Sequence, residues 1–170
     1  MEAQKLLHGG LARELLAARL IAKLATYNAD GTIHVVPMWF AREDDAVLMP
    51  TSGASRKARN ARRDARAALM IDDSRGGLDV RGITMTGFVE VLTGPDVDAW
   101  NRRVHLKYVT AQGLAFDEIA EALASDDVTL RFRPERGTSW DLSGQPASRL
   151  LLESGEFEPL APVHVRSRAR

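Results

Sequence analysis

RLIAKLATYNADGTIHVVPMWF, residues Arg19–Phe40, is the stretch that decides the architecture. Arg19–Tyr27 alternates apolar and polar positions, the period of a strand with one face on a core. Asn28-Ala29-Asp30-Gly31 supplies residues that tolerate positive φ and reads as a hairpin turn. Thr32–Phe40 returns as the second strand. Pro37 inside it has no N–H to give to a ladder, so the strand has an edge, a bulge or a ligand at that point. Two strands joined this tightly can only pair antiparallel.

Outward from the hairpin the same grammar continues. Upstream, Gln4–Ala18 carries Leu6, Leu7, Leu11, Leu15 and Leu16 at helical spacing, interrupted at Gly9-Gly10. Downstream, Arg42–Asp45 makes a polar turn, Ala46–Met49 a third strand and Ala67–Ile71 a fourth. Leu78–Thr93 is a long strand with Gly82 and Gly87 inside it, positions where a strand bends or another chain segment approaches closely. Gly94-Pro95-Asp96 opens a helix to about Val109, and a second helix covers Phe116–Leu123. Val128–Phe132 is a strand, Pro134–Gly137 a turn, and Thr138–Asp141 a last strand. Leu142–Arg170 has no clear period and reads as an extended tail. Strands meandering through tight turns, with helices inserted, argue for a mainly β antiparallel barrel in residues 1–141 rather than a βαβ sheet.

The segment TSGASRKARNARRD, Thr51–Asp64, carries the chemistry. A small-residue turn runs into a helix that Ser55 can cap, its hydroxyl accepting from a free first-turn N–H. Arg56, Lys57, Arg59, Arg62, Arg63 and Arg66 read in two ways. One is the solvated face of a surface helix. The other is an anion seat, because cations at a helix start oppose its dipole unless an anion compensates them. Thr51 and Ser52 add hydroxyl donors, and Asn60 a further amide one turn on.

Composition narrows the classes. Lys+Arg and Asp+Glu balance at 23 each, so no overall field draws the chain to nucleic acid or an anionic membrane. Basic character is confined to Arg56–Arg66 and the closing Val165–Arg170. The absence of cysteine excludes disulfides, thiolate metal sites and cysteine nucleophiles. His8, His34, His105 and His164 do not stand at metal-ligand spacing, and no G-x-S-x-G elbow is present. No apolar run has membrane-spanning length and MEAQKLLHGG lacks a signal-peptide pattern, so a cytoplasmic protein is expected.

In this order and spacing the motifs resemble the split β-barrel flavin and deazaflavin oxidoreductases, the pyridoxamine-phosphate-oxidase-like family. Ser55-Arg56-Lys57 is similar to the basic pair that holds the cofactor phosphate there. His34–Phe40 resembles the strand whose backbone lines the isoalloxazine ring, Arg81–Gly87 the long central strand, and Ser139-Trp140-Asp141 the closing strand. The resemblance implies a homodimeric oxidoreductase binding FMN or the deazaflavin F420, with a slight preference for FMN, and acting on a small organic substrate. A flavin-binding storage or sensor protein is the alternative. The implied cofactor residues are Val36, Pro37, Met38, Trp39, Thr51, Ser52, Ser55, Arg56, Lys57, Asn60 and Trp140, with Trp140 reaching the site of the other subunit; by themselves Trp39 and Trp140 also read as core aromatics. Arg59, Arg62 and Arg63 are expected to offer a basic groove for an acidic cofactor tail. Two departures stand out: SWDLSGQPASRLLLE lacks the Arg-x-His element of true pyridoxamine-phosphate oxidases, and Gly82 replaces the family's central-strand Gln. The vitamin B6 reaction itself is therefore not expected.

Overall fold

The structure is a computed structural model and describes residues 1–74 and 77–158. Its strands are β1 (Ala22–Tyr27), β2 (Ile33–Met38), β3 (Ala41–Glu43), β4 (Ala46–Thr51), β5 (Arg66–Asp73), β6 (Arg81–Leu92) and β7 (Val128–Asp141). They form one seven-stranded sheet in the order β2-β1-β5-β6-β7-β4-β3, antiparallel at every pairing. The helices are α1 (Ala3–Leu7), α2 (Gly10–Ala17), α3 (Arg56–Arg63), α4 (Val97–Tyr108), α5 (Asp117–Leu123) and α6 (Pro146–Ser154). This is a split β-barrel with helical insertions. None of the described helices is long and apolar enough to cross a membrane.

The concave face of the sheet holds the core. Leu24, Leu69, Ile71, Ile83, Met85, Leu130 and Phe132 point into it from successive strands, as period-2 alternation requires. Leu6 and Leu7 of α1, Leu15 and Leu16 of α2, and Ala58 and Ala61 of α3 close it. β4 is buried along its whole length because its two faces are covered differently. Val47 and Met49 enter the main core, while Leu48 joins Val104, Trp39, Trp100 and Tyr108 under α4.

The hairpin is as expected. Asn28 N–H donates to Thr32 O at 2.8 Å, Gly31 adopts φ 83°, and Asp30 accepts from both the Thr32 amide and hydroxyl. Those bonds hold the exposed Asp30 carboxyl below its ordinary range. β2 is an edge strand, which accounts for Pro37.

Three local expectations need correction. Arg42–Asp45 is not a free turn: Ala41–Glu43 pairs with Ala46–Leu48 around Asp44, which takes φ 50°. Pro134–Gly137 does not turn either; β7 runs through it to Asp141. The register slips between Thr86 and Gly87, whose partners are Arg136 and Pro134, so Glu135 is an extra residue in a bulge. Gly87 makes this possible, since a Cβ there would lie 2.1 Å from Arg133 O. The expected tail is also not extended throughout: Pro146 opens α6, which stops at Gly155 with φ 75°. The remainder of that tail, residues 159–170, including the basic Val165–Arg170, lies outside the described residues.

Candidate functional site

Where β4 ends, Thr51 is 4% exposed, and its hydroxyl donates to Ser55 Oγ at 3.2 Å. Ser55 caps α3 as expected, accepting from Ala58 N–H at 3.3 Å. Ser52 Oγ accepts from Ala54 N–H, and Ser52 O from Ser55 N–H at 2.9 Å. The hydroxyl hydrogens of Ser52 and Ser55 therefore remain open to an acceptor outside the loop. So do the Arg56 and Lys57 N–H groups, which have no acceptor one turn back in the helix.

Lys57 is half-buried beside these donors, and no hydrogen bond or ion pair holds it among the described residues. Burial pushes its pKa below the ordinary lysine range, and Asp126 offsets part of that shift. Arg56 is exposed and likewise unpaired among the described residues. Thr51, Ser52, Ser55, Arg56 and Lys57 thus lie on one loop and the helix turn that follows it, between the end of β4 and α3. Open donors, an unpaired ammonium and a helix start favour an anion of phosphate type.

The other arginines of the run are engaged differently. Arg59 donates to Ala54 O, Arg62 to Gly53 O at 2.6 Å, and Arg63 to Tyr27 O. They tie the loop and the β1–β2 hairpin to α3. Asn60, 3% exposed, completes that tie: its amide donates to Thr26 Oγ1 at 3.1 Å and Asn28 Oδ1 at 3.0 Å, and its carbonyl accepts from Arg63. Both of its N–H groups are occupied. Between the hairpin and α3 lies an open cavity of about 480 Å³ bordered by Asn28, Asp30, Arg56, Arg59, Asn60 and Arg63.

The remaining candidates are dispersed over the sheet. Val36 packs on the core, Met38 is buried in it, and Pro37 is exposed on the edge. Trp39 stacks on Tyr108 with centroids 4.9 Å apart and planes within 7°. Trp140 stands opposite Gly82 with its ring over that residue, where a Cβ would come within 2.4 Å of the ring. Gly82 is thus the residue that admits the Trp140 ring. The convex face of the sheet, away from the core, carries exposed apolar side chains. Ile33, Val35, Tyr27 and Phe88 are exposed, and Tyr27, Ile33 and Phe88 border a cavity of about 330 Å³ floored by Ala25, Ala68 and Thr86.

Two acids escaped the sequence reading. Asp127 accepts from Gly53 N–H, and Asp126 pairs with His105 at 3.1 Å while its carbonyl accepts from Asn101. Their only sequence signal is a pair of aspartates before a strand, which equally describes a solvated turn. No cluster among the described residues is arranged to hold a metal ion.

Residues 10–141 match the family model described as pyridoxamine 5′-phosphate oxidase. No match was found among curated proteins. Among solved structures, a conserved hypothetical protein from Mycobacterium tuberculosis is 26% identical, with TM-score 0.61 over 90% of this chain and 89% of that one. A structure described as an F420 reductase is 25% identical, with TM-score 0.62 over 76% of this chain and 97% of its own. A heme binding protein from Mycobacterium smegmatis shares the fold at 23% identity and TM-score 0.60, over 85% of this chain and 56% of that one.

Proposed function

The chain belongs to the pyridoxamine 5′-phosphate oxidase family, and from that premise we propose that it is an oxidoreductase binding a flavin-type cofactor by its phosphate at the head of α3. The observation that carries the reading is Lys57, a half-buried ammonium with no hydrogen bond or ion pair among the described residues, on the first turn of a helix whose preceding loop holds open hydroxyl and amide donors. A lysine kept in that state costs desolvation energy that a bound anion would repay in hydrogen bonds. In this reading Ser52, Ser55, Arg56 and Lys57 hold the phosphate. The backbone of Val36–Met38 and the open convex face offer a flat apolar seat for a ring, and the partner chain of a homodimer covers it. The chemistry such a cofactor supplies when bound is hydride transfer to or from a small organic substrate. The protein contributes binding, orientation and exclusion of water.

Between the two cofactors we favour F420 over FMN. The similarity to the F420 reductase supports this, as does the 480 Å³ cavity with Arg56, Arg59 and Arg63 on its border. That cavity adjoins the phosphate seat and has the size and sign of charge for an acidic tail. Fluorescence titrations with F420 and FMN, separately and in competition, test the reading at low and moderate salt. Micromolar or tighter F420 binding that FMN does not displace is the expected result. Tight FMN binding without F420 binding would reverse the choice of cofactor, and binding of neither would sink the proposal.

A further inference from the structure

The loop that presents the open donors is held from outside itself, at one glycine. Gly53 N–H donates to the Asp127 carboxylate, and Gly53 O accepts from Arg62 Nη1 at 2.6 Å. Asp127 lies 74 residues further along the chain, immediately before β7, whose first residue Val128 pairs with Thr51 at the end of β4. The clamp therefore continues the β4–β7 ladder by one more bond and fastens the loop to the rigid sheet. It also closes tightly on glycine. A Cβ at position 53 would lie 3.0 Å from Arg62 Nη2, 3.1 Å from Val128 Cγ1 and 3.3 Å from Asp127 Oδ1.

We infer that Asp127 is a positioning residue for the anion seat, acting through the backbone of Gly53; as a statement about cofactor affinity, this rests on the function proposed above. Three loop carbonyls are each occupied by a donor: Ser52 O by Ser55 N–H, Gly53 O by Arg62 and Ala54 O by Arg59. The Gly53 amide is occupied too, by Asp127. The groups left open to an incoming anion are donors: the Ser52 and Ser55 hydroxyls, the first two amides of α3, and the Arg56 and Lys57 side chains. A carboxylate near an anion site would ordinarily repel its ligand. Here the Asp127 carboxylate is taken up by the Gly53 amide, with the Arg62 guanidinium close by on the carbonyl of the same glycine.

The inference separates cleanly by variant. Asp127→Asn keeps an oxygen that can accept from Gly53 N–H, whereas Asp127→Ala removes it. In the cofactor-free protein, Asp127→Ala is expected to speed amide hydrogen exchange across residues 52–57 by about tenfold, with β5 and β6 amides unchanged. It is also expected to raise the Kd for F420 about tenfold, because the loop that presents the donors must then be ordered on binding. Asp127→Asn should restore both measurements to near the wild-type values. Arg62→Ala, which opens the other half of the clamp, should reproduce the alanine phenotype should Asp127→Ala fold poorly. Unchanged exchange in Asp127→Ala overturns the clamp even if no cofactor binds, so its failure is distinguishable from failure of the functional reading. An asparagine variant as impaired as the alanine one overturns it as well, because charge rather than the bond to Gly53 would then be responsible.

Discussion

Replacing Lys57 with methionine keeps the length and apolar stem of the side chain and removes its charge. The ammonium is half-buried with no hydrogen bond or ion pair among the described residues, and burial pushes its pKa down, partly offset by Asp126. A charge-assisted hydrogen bond to phosphate contributes about 1.5–3 kcal/mol, equivalent to about a tenfold to 150-fold rise in Kd at about 1.4 kcal/mol per decade. Fold stability should move the other way. Because the folded pKa of Lys57 lies below its unfolded value, the charge opposes folding at low pH, and that penalty fades as pH rises toward the ordinary lysine range. Lys57→Met should therefore melt at or above the wild-type temperature near neutral pH. An anion favours the ammonium, so wild-type affinity should be full at low pH and fall as pH rises through the lowered pKa of the free protein. The variant should lack that fall. Titration from pH 6 to 10, with thermal melts at each pH, measures all three effects. A variant that binds as tightly as the wild type, or that melts several degrees lower at pH 7, refutes the assignment of Lys57 as an anion ligand.

Asn60→Ala should destabilise the fold by about 2–3 kcal/mol, since it strips partners from buried Thr26 and from Asn28; a melting temperature within one degree of wild type would contradict this. Lys107 donates to Leu16 O at 2.9 Å and sits over the Phe40 ring, and burial pushes its pKa down to about 8. Its folded pKa is thus below the unfolded 10.5, so wild-type stability relative to Lys107→Met should rise between pH 8 and 10.5, checked by urea melts across that range. Val35, 59% exposed on the convex face, is expected to lie in a homodimer interface. Val35→Asp should give a monomer by light scattering with weakened F420 binding, and a wild-type monomer that binds tightly would remove the interface from the proposal.

What was legible in the chain was local. The turn at Asn28–Gly31 and the cap at Ser55 depend on residues within four positions of each other, and both formed as read. β1 followed from its alternation, and the break between α1 and α2 from Gly9-Gly10. The bulge at Glu135 was half legible: Gly87 stood out as a close-approach position, but nothing in the sequence tells that the segment meeting it is Arg133–Pro134 on another strand. The same holds for Trp39, whose exposed or buried fate depends on Tyr108, 69 residues away. Asn60 read as an amide free to donate only because Thr26 and Asn28, its partners across the hairpin, are not its neighbours in sequence.

The basic run shows most sharply why counting charges misleads. Six cations in eleven residues suggested either a solvated face or a broad anion groove, and the structure divides them by what each guanidinium reaches. Loop carbonyls of Gly53, Ala54 and Tyr27 have no helix donor and must find one elsewhere, and Arg62, Arg59 and Arg63 supply it. Arg66 pairs with Asp64, whose carboxyl it holds down to about 2. Those four have local reasons to be basic that require no ligand. Arg56 and Lys57 make no hydrogen bond or ion pair among the described residues, Asp126 acting on Lys57 only through its charge, and they stand at the helix start, where the dipole works against a cation. A pair of cations placed against the local field, one of them half-buried, is a feature that folding alone does not account for. An anion bound at that helix start would interact favourably with the dipole and with both cations, and would offset the desolvation of Lys57.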